Sequence, residues 1–214
     1  DVGVGTGITP DFLSRSVGCS VVGVDISPSM LTWARERVAS GNASARPQFG
    51  VGDACHLPFS SGTFDVVICE SVLGFVDDPT AALREFARVA RPGGVVGVNE
   101  TTWIEPPTQS LESYLGAATG ASPTSPEEWV ARFEQAGFRD IRSSVHQVNP
   151  RTQYVSEFRR RGIRETVQTA LRLLRNLTDP AIRRHIRMNL THWREASQVL
   201  DYLGYGIYVA DVHS

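Results

Sequence analysis

Asp1-Val2-Gly3-Val4-Gly5-Thr6-Gly7 opens the chain, and an apolar run ending in an acid, Val21-Val22-Gly23-Val24-Asp25, follows shortly after. Three glycines at alternate positions directly behind an acidic residue predict a tight strand-to-helix turn, where a side chain would keep a ligand off the backbone. Asp25 lies about twenty residues past the turn, the separation at which the second strand of a doubly wound sheet presents a carboxylate to a ribose. The two stretches together predict an α/β, Rossmann-like fold with a nucleoside at the carboxyl ends of its strands.

The spacing narrows the choice of nucleoside. A dinucleotide site needs a third glycine so that the helix packs closely while its N-terminus faces a pyrophosphate. Counted from Gly3 that position is Ile8, and counted from Gly5 it is Pro10. Hydride transfer from a nicotinamide dinucleotide is therefore disfavoured. The pattern DxGxGxG resembles instead the first motif of the class I S-adenosylmethionine-dependent methyltransferases, whose ligand is a nucleoside carrying a charged amino acid and no phosphate. An acidic Asp1 suits an ammonium and a sulfonium better than a pyrophosphate, because like charges close together are costly in a partly dry site.

The resemblance sharpens further along. Gly52-Asp53-Ala54-Cys55-His56-Leu57-Pro58-Phe59, Phe64-Asp65-Val66-Val67-Ile68-Cys69-Glu70 and Arg91-Pro92-Gly93-Gly94 resemble the corresponding run of the ubiquinone and menaquinone biosynthesis-like methyltransferases, the small-molecule branch of the class. It covers residues 1 to 100 or so, and its spaced motifs are specific for cofactor but not for substrate. It implies S-adenosyl-L-methionine as cofactor, methyl transfer to a small-molecule acceptor by in-line displacement, and a mostly parallel doubly wound sheet whose last strand is antiparallel. The alternative is a non-catalytic S-adenosylmethionine-binding sensor or partner subunit, since no general base stands out.

The chain of 214 residues is long enough for one domain with an elaboration and a large core. No apolar run reaches membrane-spanning length and no basic-then-apolar leader opens it, so a cytoplasmic protein is expected. Cys19, Cys55 and Cys69 are odd in number and lie in no metal-ligand spacing; reduced thiols serving as small packing residues are expected, with no metal site. Lysine is absent, and residues 151–200 hold eleven arginines against four acids, leaving ten against nineteen elsewhere. A solvated face is the plainest reading of that basic segment. Attraction of an acidic substrate or a membrane surface comes second; nucleic acid comes last, because no aromatic side chains interleave the arginines. A homodimer stays open.

Residues 1–150 are expected to form the cofactor-binding domain, 151–200 a helical insert or cap, and 201–214 the last strand of the sheet. Only Asp1 and Val2 precede the first turn, whereas a doubly wound sheet feeds that turn from a buried apolar strand. The first strand is therefore expected to be absent from the given chain. Thr9-Pro10 and Ser27-Pro28 predict hydroxyl-capped helix starts, the first helix closed by Gly18. Strands are predicted over Phe49–Gly52, Phe64–Cys69 (fully buried), Val95–Val98, Phe138–Val148 and Tyr205–Ala210. Helices are predicted over Pro79–Arg91, stopped by Pro92-Gly93-Gly94, over Ser110–Ala118, and from Pro126 to Gly137. Within the insert, Ile163, Val167, Leu171 and Leu174 trace the apolar face of one helix, and Ile182, Ile186, Leu190 and Trp193 that of a second.

Carried over position by position, the family pattern implies that Asp1 and the backbone at Gly3 and Gly5 hold the amino acid end of the cofactor. It gives Asp25 the ribose hydroxyls, Ile26 and Met30 the adenine faces, and Asp53 and the Ala54 amide the adenine edge. Glu70 falls where the family contacts the methionine portion and the acceptor. A general base is needed only for an acceptor protonated at neutral pH; the candidates are Glu70, His146, His185 and His192.

Overall fold

The computed structural model describes residues 1–39, 46–147, 199 and 201–213. The helical pair expected within 151–200 lies outside these residues except for Val199, as do His185 and His192. The strands are β1 (Val22–Asp25), β2 (Gln48–Val51), β3 (Phe64–Glu70), β4 (Ala90–Trp103), β5 (Arg139–Gln147) and β6 (Leu203–Asp211). The helices are α1 (Ile8–Phe12), α2 (Pro28–Ala39), α3 (Pro79–Val89), α4 (Gln109–Thr119) and α5 (Pro126–Gln135).

β1 pairs in parallel with β2, and β3 in parallel with β4. β6 runs antiparallel between β4 and β5, with Val98 opposite Tyr208 and Gln147 opposite Gly204. Val2 joins the two groups, bridging in parallel to Val24 of β1 and Cys69 of β3. Val2 N donates to Ile68 O at 2.8 Å, and Val24 N donates to Asp1 O at 2.9 Å. The order across the molecule is therefore β2, β1, Val2, β3, β4, β6, β5: a doubly wound sheet with an antiparallel final strand, as the resemblance implied.

β3 departs from the expected full burial. Asp65 is exposed and Val66 is 54% exposed, because Val2 flanks β3 only toward its C-terminal end at Cys69. A narrow cavity lined by Val2, Val22, Phe59, Phe64 and Val66 continues the line of Val2 between β1 and β3.

One face of the sheet carries the core. Val67, Cys69, Val96, Val98, Tyr208 and Ala210 meet Leu83, Phe86 and Val89 of α3 and Trp129 and Phe133 of α5, all buried. The Tyr208 ring lies 6.1 Å from both Trp129 and Phe133. Each such large side chain contributes about 1.5–3 kcal/mol by leaving water. A smaller cluster of Trp103, Leu111, Val199 and Leu203 closes the far end of β4.

Local chemistry starts the helices. Asp78 accepts from Ala81 N at 2.9 Å ahead of Pro79 in α3, and Ser125 accepts from Glu128 N at 3.2 Å ahead of Pro126 in α5; both satisfy amides that the helix leaves unpaired. Three boundaries stand out against expectation. The first helix begins at Ile8, capped by Gly7 in a left-handed conformation, and continues as a wide turn over Leu13–Val17 that ends at Gly18. Thr9 is thus inside the helix, where its hydroxyl is directed elsewhere. α3 ends at Val89, ahead of Pro92-Gly93-Gly94, since Ala90 is already extended and pairs with Phe64. Beyond Val98, β4 runs on through Trp103 because β6 supplies a partner for every residue from Val95 to Trp103. Of the cysteines, Cys69 is a core residue, while Cys19 is exposed and packs nothing away.

Candidate functional site

The carboxyl ends of β1, β2 and β3 and the glycine turn form one edge, and most of the residues singled out in the sequence lie along it. Asp25 ends β1. Its Oδ2 accepts from Gly5 N at 2.8 Å and its Oδ1 from Ser27 N at 2.9 Å. Two amides thus orient the carboxylate, and each oxygen retains lone-pair capacity for a further donor. Ile26, directly after it, is 74% exposed, a large apolar side chain held in solvent beside a charge. Met30 is half-buried in the first turn of α2.

β2 lies alongside with Val51 opposite Asp25, so that Gly52 N donates to Asp25 O at 3.2 Å and the chain delivers Asp53 to the same edge. Asp53 Oδ1 accepts from Cys55 N at 2.9 Å. That amide, more than the neighbouring His56, holds the Asp53 carboxyl below its ordinary pKa. Ala54 is buried beneath it.

The glycine turn runs between β1 and β3. Gly3 N donates to Val24 O at 2.8 Å, and Gly3 has φ 76°. A methyl group on Gly3 would lie 2.1 Å from Val72 Cγ2, so the turn and the segment after β3 touch at a position only glycine fits. Gly5, with φ 50°, has nothing within 4 Å on the side where a Cβ would stand. Its amide is already directed to Asp25, so what Gly5 offers a ligand is open space. Glu70 ends β3, and its Oε2 accepts from the Thr9 hydroxyl at 2.6 Å; Asp1 is half-buried at the start of the turn.

The structure therefore brings Asp1, Gly3, Gly5, Asp25, Ile26, Met30, Asp53, Ala54 and Glu70 to one edge. His146 stands apart on β5, separated from β3 by β6 and β4. There it stacks on Tyr205 at 5.0 Å and lies 3.2 Å from Ser144 Oγ.

Two groups that sequence reading passed over hold the rim of this edge. Glu100 of β4 is 2% exposed. Its Oε1 accepts from Val72 N at 2.7 Å and Leu73 N at 2.6 Å, and its Oε2 from Gly74 N at 3.4 Å. Burial raises its carboxyl pKa, and the amides of Leu73, Val72, Gly74 and Thr101 work against that rise. The signal was present in the alternation: Val96, Val98 and Glu100 share the buried face of β4, and an acid on a buried face requires donors. On the other flank, Arg88 of α3 donates to Leu57 O at 3.0 Å and Phe59 O at 2.7 Å. Glu85 accepts from Leu57 N at 2.9 Å while pairing with Arg88 at 2.7 Å, so this pair clamps the segment that follows Asp53.

The edge offers a bare turn at Gly5, an oriented carboxylate at Asp25, and an exposed aliphatic face at Ile26. A doubly wound sheet with an antiparallel last strand is a Rossmann-like fold. Residues 1–98 match the methyltransferase domain family. The methyltransferase GfsG of Streptomyces halstedii is 32% identical over 141 residues, 64% of this chain and 51% of that protein. The demethylmenaquinone methyltransferase of Lactobacillus johnsonii is 36% identical over 119 residues, 54% of this chain and 49% of that one. The chain thus spans about half the length of these curated relatives.

Among solved structures, phosphoethanolamine N-methyltransferase 2 of Haemonchus contortus in complex with S-adenosyl-L-methionine matches with a TM-score of 0.74 at 24% identity, covering 100% of this chain and 48% of that one. The cyclase SpnF matches with a TM-score of 0.73 at 24% identity, covering 100% and 73%. Both likenesses show the fold.

Proposed function

We propose that the protein transfers a methyl group from S-adenosyl-L-methionine to a small-molecule acceptor. The observation that carries this reading is the Asp25 carboxylate, held by the Gly5 and Ser27 amides beside an exposed Ile26 and an open glycine turn. When bound, S-adenosylmethionine supplies a methyl group already activated on a sulfonium, so the protein's part is to orient, exclude water and provide a path for in-line displacement.

In this reading Asp25 accepts hydrogen bonds from the ribose hydroxyls. Ile26 and Met30 flank the adenine, and Asp53 with the Ala54 amide reads its edge. The Asp1 carboxylate and the main chain at Gly3 hold the ammonium end, which needs acceptors; the Gly5 amide is committed to Asp25, and Gly5 contributes clearance. Glu70, held by the Thr9 hydroxyl, faces the methionine portion and the acceptor. If the acceptor carries a proton at neutral pH, Glu70 is the candidate base nearest the turn, ahead of His146 three strands away; His192 belongs to the segment assigned here to an acceptor-side cap, residues 151–200, with 1–150 and 201–214 completing the cofactor domain.

A fold shared with a cyclase makes fold alone an insufficient argument for methyl transfer. Calorimetric titration with S-adenosylmethionine, S-adenosylhomocysteine and NAD in parallel tests the reading. Binding of the first two alone is expected, followed by S-adenosylhomocysteine formation in an acceptor screen. Binding of NAD alone, or of none of the three, would overturn it.

A further inference from the structure

Glu100 is an acid on the buried face of a central strand, and among the described residues its carboxylate bonds main-chain amides. Those amides are Thr101 on its own strand and three in one short segment. Val72 N and Leu73 N converge on Oε1, and Gly74 N approaches Oε2; the last two belong to the single helical turn Leu73–Phe75. Burying a carboxylate costs several kcal/mol unless donors replace its water, so the arrangement is an expensive way to fix a turn.

The turn it fixes has consequences at the glycine loop. The Val72 side chain fills the space against Gly3, where even a methyl group would lie 2.1 Å from Cγ2. Ser71, between Glu70 and Val72, takes a left-handed backbone with φ 56°. Such a backbone is disfavoured for a residue with a Cβ and persists only where its surroundings hold it. Ser71 N donates to Asn99 O at 2.8 Å, and Gly74 O accepts from Ser122 N at 2.8 Å. The rim from Glu70 to Gly74 is therefore anchored at both ends by main-chain bonds and in the middle by Glu100.

We propose that Glu100 is a positioning residue for the cofactor site: its buried carboxylate grips the Val72, Leu73 and Gly74 amides, which sets Val72 against Gly3 and presents Glu70 to Thr9. The proposal rests on the methyltransferase reading, and it assigns Glu100 no contact with cofactor or acceptor. What the grip requires is an acceptor oxygen at a set reach from β4. Charge is secondary. Glutamine preserves the reach and one oxygen, the one that serves both Val72 and Leu73. Aspartate preserves the charge and withdraws it by one methylene.

The test is titration of S-adenosylhomocysteine into the wild type, Glu100→Gln and Glu100→Asp, each shown to be folded by its melting transition. Glu100→Gln is expected to bind within about threefold of the wild type, and Glu100→Asp to bind at least about tenfold more weakly, since displaced rim geometry is costly at a preorganised site. The reverse order would make Glu100 an electrostatic partner of the cofactor and overturn the proposal, and unchanged binding in both variants would do the same. Should Glu100→Asp not fold, Val72→Ala leaves the main-chain grip in place and removes the contact with Gly3. Weaker binding is expected there, and wild-type binding would overturn the proposal. A wild type that binds no S-adenosylhomocysteine overturns the methyltransferase reading itself, an outcome distinct from a wild type that binds while the variants match it.

Discussion

Gly3 and Gly5 stand two residues apart in one turn and answer to different constraints. At Gly3 a Cβ meets Val72 at 2.1 Å and the backbone is left-handed, so Gly3→Ala combines strain with overpacking and should cost about 2–4 kcal/mol of stability. At Gly5 the backbone is left-handed but the space is open, so Gly5→Ala should cost only about 1 kcal/mol. Its new methyl would stand in the cleft, and S-adenosylhomocysteine affinity should fall while the melting temperature barely moves. Thermal melts beside calorimetric titrations separate the two. Asp25→Ala should weaken cofactor binding by roughly 1–3 kcal/mol through loss of hydrogen bonds to a charged acceptor; unchanged affinity would place the ribose elsewhere. Glu100 adds a pH signature. Burial raises its carboxyl above the ordinary 4.5, so the stability it contributes is complete below that value and is lost as pH rises through the raised one. Cys69 and Tyr208, the titratable neighbours it repels, are themselves pushed up and stay neutral at pH 7. Glu100→Gln, which never ionises, should therefore melt above the wild type at pH 7–8, and the gap should close near pH 4; melting curves across that range decide it.

Among the elements, α3 does more than cover the sheet. Phe86 and Val89 face the core, while Arg88 and Glu85 reach sideways to Leu57 and Phe59 and hold the segment after Asp53. Arg88→Met would keep the apolar stem and leave two carbonyls and Glu85 without their donor. A loss of about 1–3 kcal/mol is expected from chemical denaturation. The hydrogen bond from Arg88 holds Glu85 below its ordinary 4.5. That contribution is present above the ordinary value and lost as pH falls through the depressed one, the opposite sense to Glu100. The helix itself was legible in the sequence, because Asp78-Pro79 and the spacing of Ala82, Leu83, Phe86 and Val89 are local signals. Its partnership with Leu57 was not, since nothing in the spacing of Glu85 and Arg88 distinguishes a clamp on a distant loop from a solvated pair. The same holds for the helix ends. Thr9-Pro10 carries the chemistry of a cap, yet the glycine turn starts the helix earlier and Thr9 bonds Glu70, sixty-one positions away.

At the scale of the whole molecule, strands on either side of Val2 are unequally supported. β4 is paired on both sides by β3 and β6 and sealed by α3 and α5, whereas β1 and β2 reach the rest of the sheet through the bridges of Val2. Native-state hydrogen exchange should find the amides of Val96, Val98, Tyr208 and Ala210 among the slowest and those of Val22 to Asp25 clearly faster; equal protection would mean that the two groups open as one. The doubly wound architecture and the antiparallel final strand were foreseen through the family resemblance, and the nearness of the glycine turn to Asp25 through their spacing. Long-range pairing decided the remainder: the extension of β4 to Trp103 depends on β6, more than a hundred residues away.

That pairing also bears on chain length. Gln147 and Gly204 are opposite one another in the ladder, so the chain leaves the sheet and rejoins it at neighbouring positions, and the register is set without reference to the intervening sequence. Closing a longer loop adds only about 0.6 kcal/mol per doubling of its length. A different number of residues between Gln147 and Gly204 is therefore expected to cost the ladder little. A change of length within that stretch would leave the register of the ladder and the edge at Gly3, Gly5 and Asp25 as they are.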